Sequence, residues 1–200
     1  MDNFFATVSR MKYIERWALM RNARLETLSE HALEVAMIAH ALCVLGNVRY
    51  GRRLNADRAA LIGIYHDAAE IITGDMPTPV KYYNSDIRDA YKEVEHMAEK
   101  RLLTQLPADM RGIFGDIFEP EDTEEDRYMR RLVKAADKLS ALIKCTEEER
   151  SGNSEFRTAA VTVRKAVEEL ARELPEVRDF TEQFLPSYGR TLDELLQREI

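Results

Sequence analysis

Thr27-Leu28-Ser29-Glu30-His31-Ala32-Leu33-Glu34-Val35-Ala36-Met37-Ile38-Ala39-His40-Ala41-Leu42-Cys43-Val44 begins as a helix start and continues as a helix body. Thr27 and Glu30 stand at the spacing of a capping box, in which each side chain satisfies an amide that a helix start leaves unpaired. Leu33, Met37, Ala41 and Val44 then recur at helical spacing, and the helix is expected to stop near Gly46. The same pattern extends in both directions. On the amino-terminal side, Phe4, Phe5, Val8, Met11 and Tyr13 give a short amphipathic helix, and Arg16 to Thr27 is less regular. On the other side, Asn55 caps a helix expected from Ala56 to about Ile72. Gly74-Asp75-Met76-Pro77-Thr78-Pro79 must end it, because two prolines two apart cannot lie inside a helix.

Further helices are expected over Ser85 to Leu106, up to about Phe118, over Glu124 to Glu149, over Asn153 to Leu174 and over Glu176 to Leu185. Pro175 divides the last two, and one last short turn is expected in the tail after Pro186. From Glu119 to Asp126 six of eight residues are acidic, which reads as a solvated loop and helix start with Thr123 as cap. No strand-like alternation, fixed-period repeat or low-complexity segment is present. The expectation is one all-α domain over residues 1–200, with six to eight helices and short loops.

Composition agrees. The 200 residues are 45% hydrophobic, enough to bury a sizeable core, with only eight glycines and six prolines. That scarcity argues against a turn-rich β-sandwich and against a long disordered linker. The net charge of −7 works against binding nucleic acid polymers or an anionic membrane, since both are negative, but it allows a small anion in a local basic pocket. Cys43 and Cys145 lack any zinc or CxxC pattern and read as small buried hydrophobes in a reducing compartment. Met1-Asp2-Asn3-Phe4 lacks the basic and apolar regions of a signal peptide. The longest nearly uncharged run, Val35 to Val48, falls short of the roughly 20 residues that span a bilayer. These features lead to the expectation of a soluble cytoplasmic protein.

The chemistry concentrates in a few side chains. His66-Asp67 is an adjacent pair, expected inside a helix, with Glu70 one turn on. A core rarely collects an imidazole and two carboxylates, because burying charge without a partner is costly, although an adjacent pair alone can be a surface salt link. His31 lies in the first turn of its capped helix. Asp137 interrupts the apolar run Leu132 to Leu139, where a carboxylate on a packed face needs a partner. His31, His66, Asp67 and Asp137 thus offer two imidazoles and two carboxylates, a four-ligand set for a divalent cation with positions open to water and substrate oxygen.

The order His … His-Asp … Asp on an all-helical chain resembles the HD-domain metal-dependent phosphohydrolases. The likeness is narrower still. Arg16-Trp17-Ala18-Leu19-Met20-Arg21-Asn22, Ser29-Glu30-His31, Tyr65-His66-Asp67-Ala68-Ala69-Glu70 and Thr73-Gly74-Asp75-Met76-Pro77-Thr78-Pro79-Val80-Lys81-Tyr82 are similar to stretches of the YfbR-type 5′-deoxynucleotidases of bacteria. The likeness covers nearly the whole chain and is weakest after about residue 150. Each motif is only moderately specific, but their joint presence in order is highly specific.

The resemblance implies an HD-domain helical bundle that hydrolyses deoxyribonucleoside 5′-monophosphates, depends on a divalent metal such as Co²⁺ or Mn²⁺, accepts several bases and forms a homodimer. It implies metal ligation by His31, His66, Asp67 and Asp137, and catalytic roles for Glu70 and Arg16. It also implies substrate contacts from Arg16, Trp17, His31, Asp67, Asp75, Met76, Pro77, Thr78 and Asp137.

The residue types suit such roles, and each has a plainer alternative. Arg16 can pair with phosphate in a forked geometry, or be an ordinary surface arginine. Trp17 can present a flat apolar wall to the sugar near C2′, or anchor the core. Glu70 can take a proton from the attacking water, or orient a ligating imidazole. Asp75 can accept from the sugar or the water, or cap a turn. Thr78 can donate to substrate, or cap the following helix. His40 is expected in the core or an interface, and His96 at the surface. Arg21 and Arg24 raise local positive potential or form structural salt links. The rival readings are another HD phosphohydrolase, acting on a triphosphate, a cyclic dinucleotide or an alarmone, and a non-catalytic helical nucleotide sensor or scaffold. The apolar C-terminal helices are the candidate dimer interface.

Overall fold

Most of the chain settles into helix, and side-chain caps set the starts of four of the long helices, Leu28–Tyr50, Ala56–Tyr65, Ser85–Leu103 and Glu124–Arg150. The computed structural model describes residues 2–81, 83–121 and 123–196, except for the side chains of Thr78 and Pro79. In chain order the helices are α1 (Phe4–Val8), a 3-10 turn (Ser9–Tyr13), α2 (Leu28–Tyr50), α3 (Ala56–Tyr65), α4 (Glu70–Thr73), α5 (Thr78–Lys81), α6 (Ser85–Leu103) and α7 (Arg111–Phe118). They continue with α8 (Glu124–Arg150), α9 (Arg157–Glu173), α10 (Pro175–Gln183) and α11 (Leu192–Leu196). Seven of these have eight residues or more. Among the described residues the one extended pairing is an isolated bridge between Glu15 and Thr27.

The caps follow their chemistry. Thr27 and Glu30 form the full capping box, while Asn55 accepts from the Arg58 amide and Thr123 from the Asp126 amide. Pro175 sits in the first turn of α10, where its missing N–H costs nothing.

Three expected boundaries move. α2 runs past Gly46 to Tyr50 and ends at Gly51, whose φ of 64° is the left-handed cap conformation. Gly46 instead serves close packing: a Cβ there would lie 3.0 Å from Glu176 Oε1 and 3.1 Å from Leu54 Cδ1. α6 stops at Leu103, three residues before the expected end at Leu106. α3 stops at Tyr65, so His66-Asp67 lies in a turn and not within a helix running to Ile72. The His66 ring accounts for the break. Its Nδ1 lies 2.7 Å from the Gly63 carbonyl, the acceptor that the Asp67 amide would use in a continuing helix.

The core sits where α2 is enclosed by α3, α8 and α10. Val35, Ala39, Leu42, Leu132, Leu139, Leu142 and Val177 are buried there, each large one contributing about 1.5–3 kcal/mol. α2 is apolar on nearly every side, as a central helix must be. At 23 residues it has the length and composition of a membrane span, but more than half of its apolar window is buried inside the bundle. Its Leu33, Met37 and Val44 face outward, not into the core. His40 also lies at the surface, near Asp57, which rules out the core and leaves the interface of its two expected places. His96 is exposed as expected. Cys43 and Cys145 are buried and unbridged.

The acidic stretch is only partly solvated. Asp126 is buried and held by Arg58 and Arg130.

Candidate metal and substrate site

Four segments bring the predicted side chains together. α2 supplies His31, the turn after α3 supplies His66 and Asp67, α4 supplies Glu70, and α8 supplies Asp137. The close approach of α2 and α3 depends on Gly63, since a Cβ there would lie 2.7 Å from the Ala36 Cα. The His31 and His66 rings are consequently 5.2 Å apart.

The ligating atoms converge. His66 Nε2 lies 3.0 Å from Asp67 Oδ2, and His31 Nε2 lies 3.6 Å from the same oxygen. One donor atom from each of His31, His66 and Asp67 falls within 4.8 Å of the others. Asp137 stands outside that tight group but reaches it through His31, with Oδ1 3.3 Å from Nε2. Both Nε2 atoms are buried without a well-aligned hydrogen bond. Two such nitrogens facing two carboxylates are a donor set that fits a divalent cation.

Each ring has a different partner at its other nitrogen. His66 Nδ1 meets the Gly63 carbonyl, and His31 Nδ1 lies 2.9 Å from Ser140 Oγ. Ser140 in turn donates to Glu34 Oε2 at 2.6 Å.

The electrostatics are strongly perturbed. Burial opposes the Asp137 carboxylate, yet His31 and Lys138 hold it well below the usual range. Burial likewise opposes Asp67, and His66 outweighs it. Despite its burial, His66 is raised to about 9 by Asp67, whereas burial and Arg16 push His31 down to about 4. Glu70 is buried, with Oε2 unpartnered. Burial first, then Asp67 and Asp75, push its carboxyl up to about 9.

Arg16 and Trp17 flank the cluster. Arg16 is not a surface arginine: its side chain is 11% exposed and its guanidinium pairs with Glu26 at 3.0 Å. Burial opposes its charge, but Glu26, Asp137, Asp67 and Asp75 together sustain it. Trp17 adopts a φ of 57°, rare for a bulky side chain. Asp75 Oδ2 accepts from its backbone N–H at 3.3 Å, and Asn22 donates to its carbonyl at 3.2 Å. The indole packs on Phe156, with centroids 5.4 Å apart, so Trp17 is half-buried and anchored.

Asp75 therefore has a definite structural task. Met76 is half-buried and Pro77 exposed on the same loop; the Thr78 side chain lies outside the described residues. Arg21 pairs with Glu155 and Arg24 with Glu30, the salt-link alternative for both. A cavity of about 240 Å³ opens beside His66 and Asp137, walled by Ile62, Tyr65, Phe118 and Lys134.

Sequence reasoning missed Glu26, Glu34, Ser140 and Gly63. A signal existed for two of them: Glu34 and Ser140 each stand three residues beyond a candidate ligand, His31 or Asp137, hence on nearly the same helix face.

An all-helical bundle gathering a His … His-Asp … Asp set is the architecture of the HD-domain phosphohydrolases. One of these, from Listeria innocua, superposes with a TM-score of 0.78 at 24% identity, covering 93% of this chain and 88% of its own. The HD phosphohydrolase DatZ of cyanophage S-2L, solved bound to dA and one catalytic Zn²⁺ ion, superposes with a TM-score of 0.61 at 19% identity, covering 93% and 96%. Both likenesses speak to the fold.

The family follows from sequence: the chain belongs to the 5′-deoxynucleotidase YfbR-like family, whose model matches residues 3–188. It is 45% identical to the 5′-deoxynucleotidase YfbR of Escherichia coli over 196 residues, covering 98% of this chain and 96% of that protein. It is 44% identical to a 5′-deoxynucleotidase of Erwinia tasmaniensis over 199 residues, covering 100% and 98%.

Proposed function

We propose that this chain is a divalent-metal-dependent 5′-deoxynucleotidase that hydrolyses deoxyribonucleoside 5′-monophosphates to deoxynucleoside and inorganic phosphate. The observation that carries this reading is the convergence of His31, His66 and Asp67, with Asp137 beside them, on a site that also holds a buried arginine and an unpartnered buried glutamate oxygen.

His31, His66, Asp67 and Asp137 would hold the cation. When bound there, it supplies Lewis-acid charge to a phosphoryl oxygen and favours ionisation of water. The remaining work falls to the protein. Cleavage of a phosphate ester spreads negative charge over the phosphoryl oxygens, so fixed positive groups lower its barrier. Arg16, steadied by Glu26, presents its remaining N–H donors to those oxygens. Glu70 Oε2 accepts a proton from the attacking water as the bond from phosphorus to O5′ breaks, and the departing O5′ takes up a proton from solvent water to leave as the deoxynucleoside hydroxyl. Trp17, locked by Asp75, Asn22 and Phe156, stands as an apolar wall against the sugar. A ribose 2′-hydroxyl buried there without a partner costs roughly 1–3 kcal/mol.

Co²⁺ and Mn²⁺ suit the mixed nitrogen and oxygen donors. We read the molecule as a cytoplasmic homodimer, an expectation carried by the family resemblance. Exposed Leu192, Leu195 and Leu196 near the C-terminus, and Leu33, Met37 and Val48 on α2, offer apolar surface for it. Sedimentation equilibrium checks the dimer.

A panel of mono-, di-, tri- and cyclic nucleotides with added Mn²⁺ or Co²⁺ tests the activity. Phosphate release confined to deoxynucleoside 5′-monophosphates is expected. Turnover of triphosphates or cyclic dinucleotides instead would favour the rival phosphohydrolase readings.

A further inference from the structure

We infer that Ser140 and Glu34 are positioning residues, forming a relay that fixes His31 in the tautomer whose Nε2 lone pair faces the cation. The inference rests on the metal site proposed above and assigns two residues beyond its ligands.

The relay is short and enclosed. His31 and Ser140 are both fully buried. Nδ1 lies 2.9 Å from Ser140 Oγ, and that hydroxyl donates to Glu34 Oε2 at 2.6 Å. A serine hydroxyl carries one proton. Spent on Glu34, that proton leaves only lone pairs toward the ring. Nδ1 must then carry the imidazole proton, and Nε2 of the neutral ring is the acceptor nitrogen. Nε2 is also the atom that faces Asp67 and Asp137. The backbone carbonyl of Gly63 performs the same task for His66, so both imidazoles are set by partners at Nδ1.

Glu34 gives the relay its direction. Without its carboxylate, Ser140 can rotate and donate to Nδ1, which moves the proton to Nε2 and closes that atom to a cation. Glu34 lines a small polar cavity with Arg24, Glu26, Glu30, Lys144 and Glu147. Burial, and then Glu26 and Glu147, hold its carboxyl at about 7 against the Ser140 bond and Arg16. The carboxylate form is therefore dominant at pH 8, where the experiment belongs.

Two readouts decide the matter. ¹⁵N-edited NMR of EDTA-treated protein at pH 8 reads the His31 tautomer directly. The proton is expected on Nδ1 in the wild type, and on Nε2 in a substantial fraction of Glu34→Ala. Calorimetric titration with Mn²⁺ alone is expected to show binding weakened about 10–100-fold in Ser140→Ala and Glu34→Ala, and less in Glu34→Gln, whose amide oxygen can still accept from Ser140. A wild-type His31 protonated on Nε2, or variants that bind Mn²⁺ as tightly as wild type, would overturn the inference. The wild-type tautomer decides even if a variant fails to fold. Loss of phosphate release with an intact tautomer and intact Mn²⁺ binding would instead count against the proposed activity.

Discussion

On the function proposed above, Trp17 is the residue on which selectivity would turn. Its backbone is left-handed, its indole lies 6.0 Å from the Arg16 guanidinium, and three separate contacts hold the residue in place. Trp17→Ala opens space and water access where a 2′-hydroxyl would sit. The ratio of kcat/KM for a deoxynucleotide to that for its ribonucleotide should fall about tenfold or more, within the range a 1–3 kcal/mol unpaired hydroxyl allows. Steady-state phosphate release with both substrates measures it, and an unchanged ratio would remove Trp17 from the sugar site. The sequence showed Trp17 only as a lone tryptophan beside an arginine. The positive φ and the Asp75 clamp, 58 residues away in the chain, are products of tertiary structure and leave no local trace.

At the scale of elements, two contacts carry the most consequence. Glu148 of α8 ties down the loop before α2, accepting from the Ala23 amide at 2.7 Å, the Arg24 amide at 3.2 Å and Asn153 at 2.7 Å, with Lys144 beside it. Burial opposes its charge, yet these donors hold its carboxyl at about 2 against an ordinary value of 4.5. The folded pKa is depressed, so this stabilisation is present above about pH 4.5 and is lost as pH falls toward 2. It amounts to roughly 3 kcal/mol. Urea unfolding of Glu148→Gln should show that deficit at pH 7, shrinking as pH falls through this window; a deficit independent of pH would contradict the assignment.

Gly63 is the second contact. Gly63→Ala forces a methyl against the α2 backbone and should cost about 1–3 kcal/mol. It should also weaken Mn²⁺ binding, because α2 carries His31 and the Gly63 carbonyl holds His66. A destabilised variant with unchanged Mn²⁺ affinity would separate the packing from the site.

Element starts were the most legible part of the chain, since Thr27, Asn55 and Thr123 act on their own neighbours. Ends were less so. Gly46 resembles a terminator but packs against Glu176 and Leu54, and the break after Tyr65 depends on a side chain taking a backbone acceptor. His31, His66 and Asp67 could be named in advance because their residue types declare metal chemistry. Glu34 and Ser140 could be suspected only from standing one turn beyond a candidate ligand, and their partnership and that of Glu26 with Arg16 needed the neighbour across the bundle to be known.

For the whole molecule, the net charge of −7 and a nucleotide ligand are compatible. On the proposed reading the anion would meet Arg16 and a cation inside the bundle, not the acidic surface. The cluster joins α2, the turn after α3 and α8, so a cation there ties together the central elements of the fold. Ligand linkage then predicts that Mn²⁺ at 100 times its Kd adds about 2.7 kcal/mol of stability, about 5–10 °C in Tm for a chain of this size. Calorimetric scans with EDTA and with Mn²⁺ check this, and equal Tm values would speak against a cation that bridges these elements.

In the function proposed above, this cluster is a metal-dependent phosphomonoesterase site with Glu70 as its proton acceptor. Its most direct test is phosphate release from one deoxynucleoside 5′-monophosphate by EDTA-stripped protein as Mn²⁺ or Co²⁺ is added back, with Glu70→Gln alongside. No release is expected before metal, full turnover after it, and a fall in kcat of about 10²–10⁴-fold in Glu70→Gln. Turnover in the presence of EDTA, no turnover with either metal, or an undiminished Glu70→Gln would contradict it.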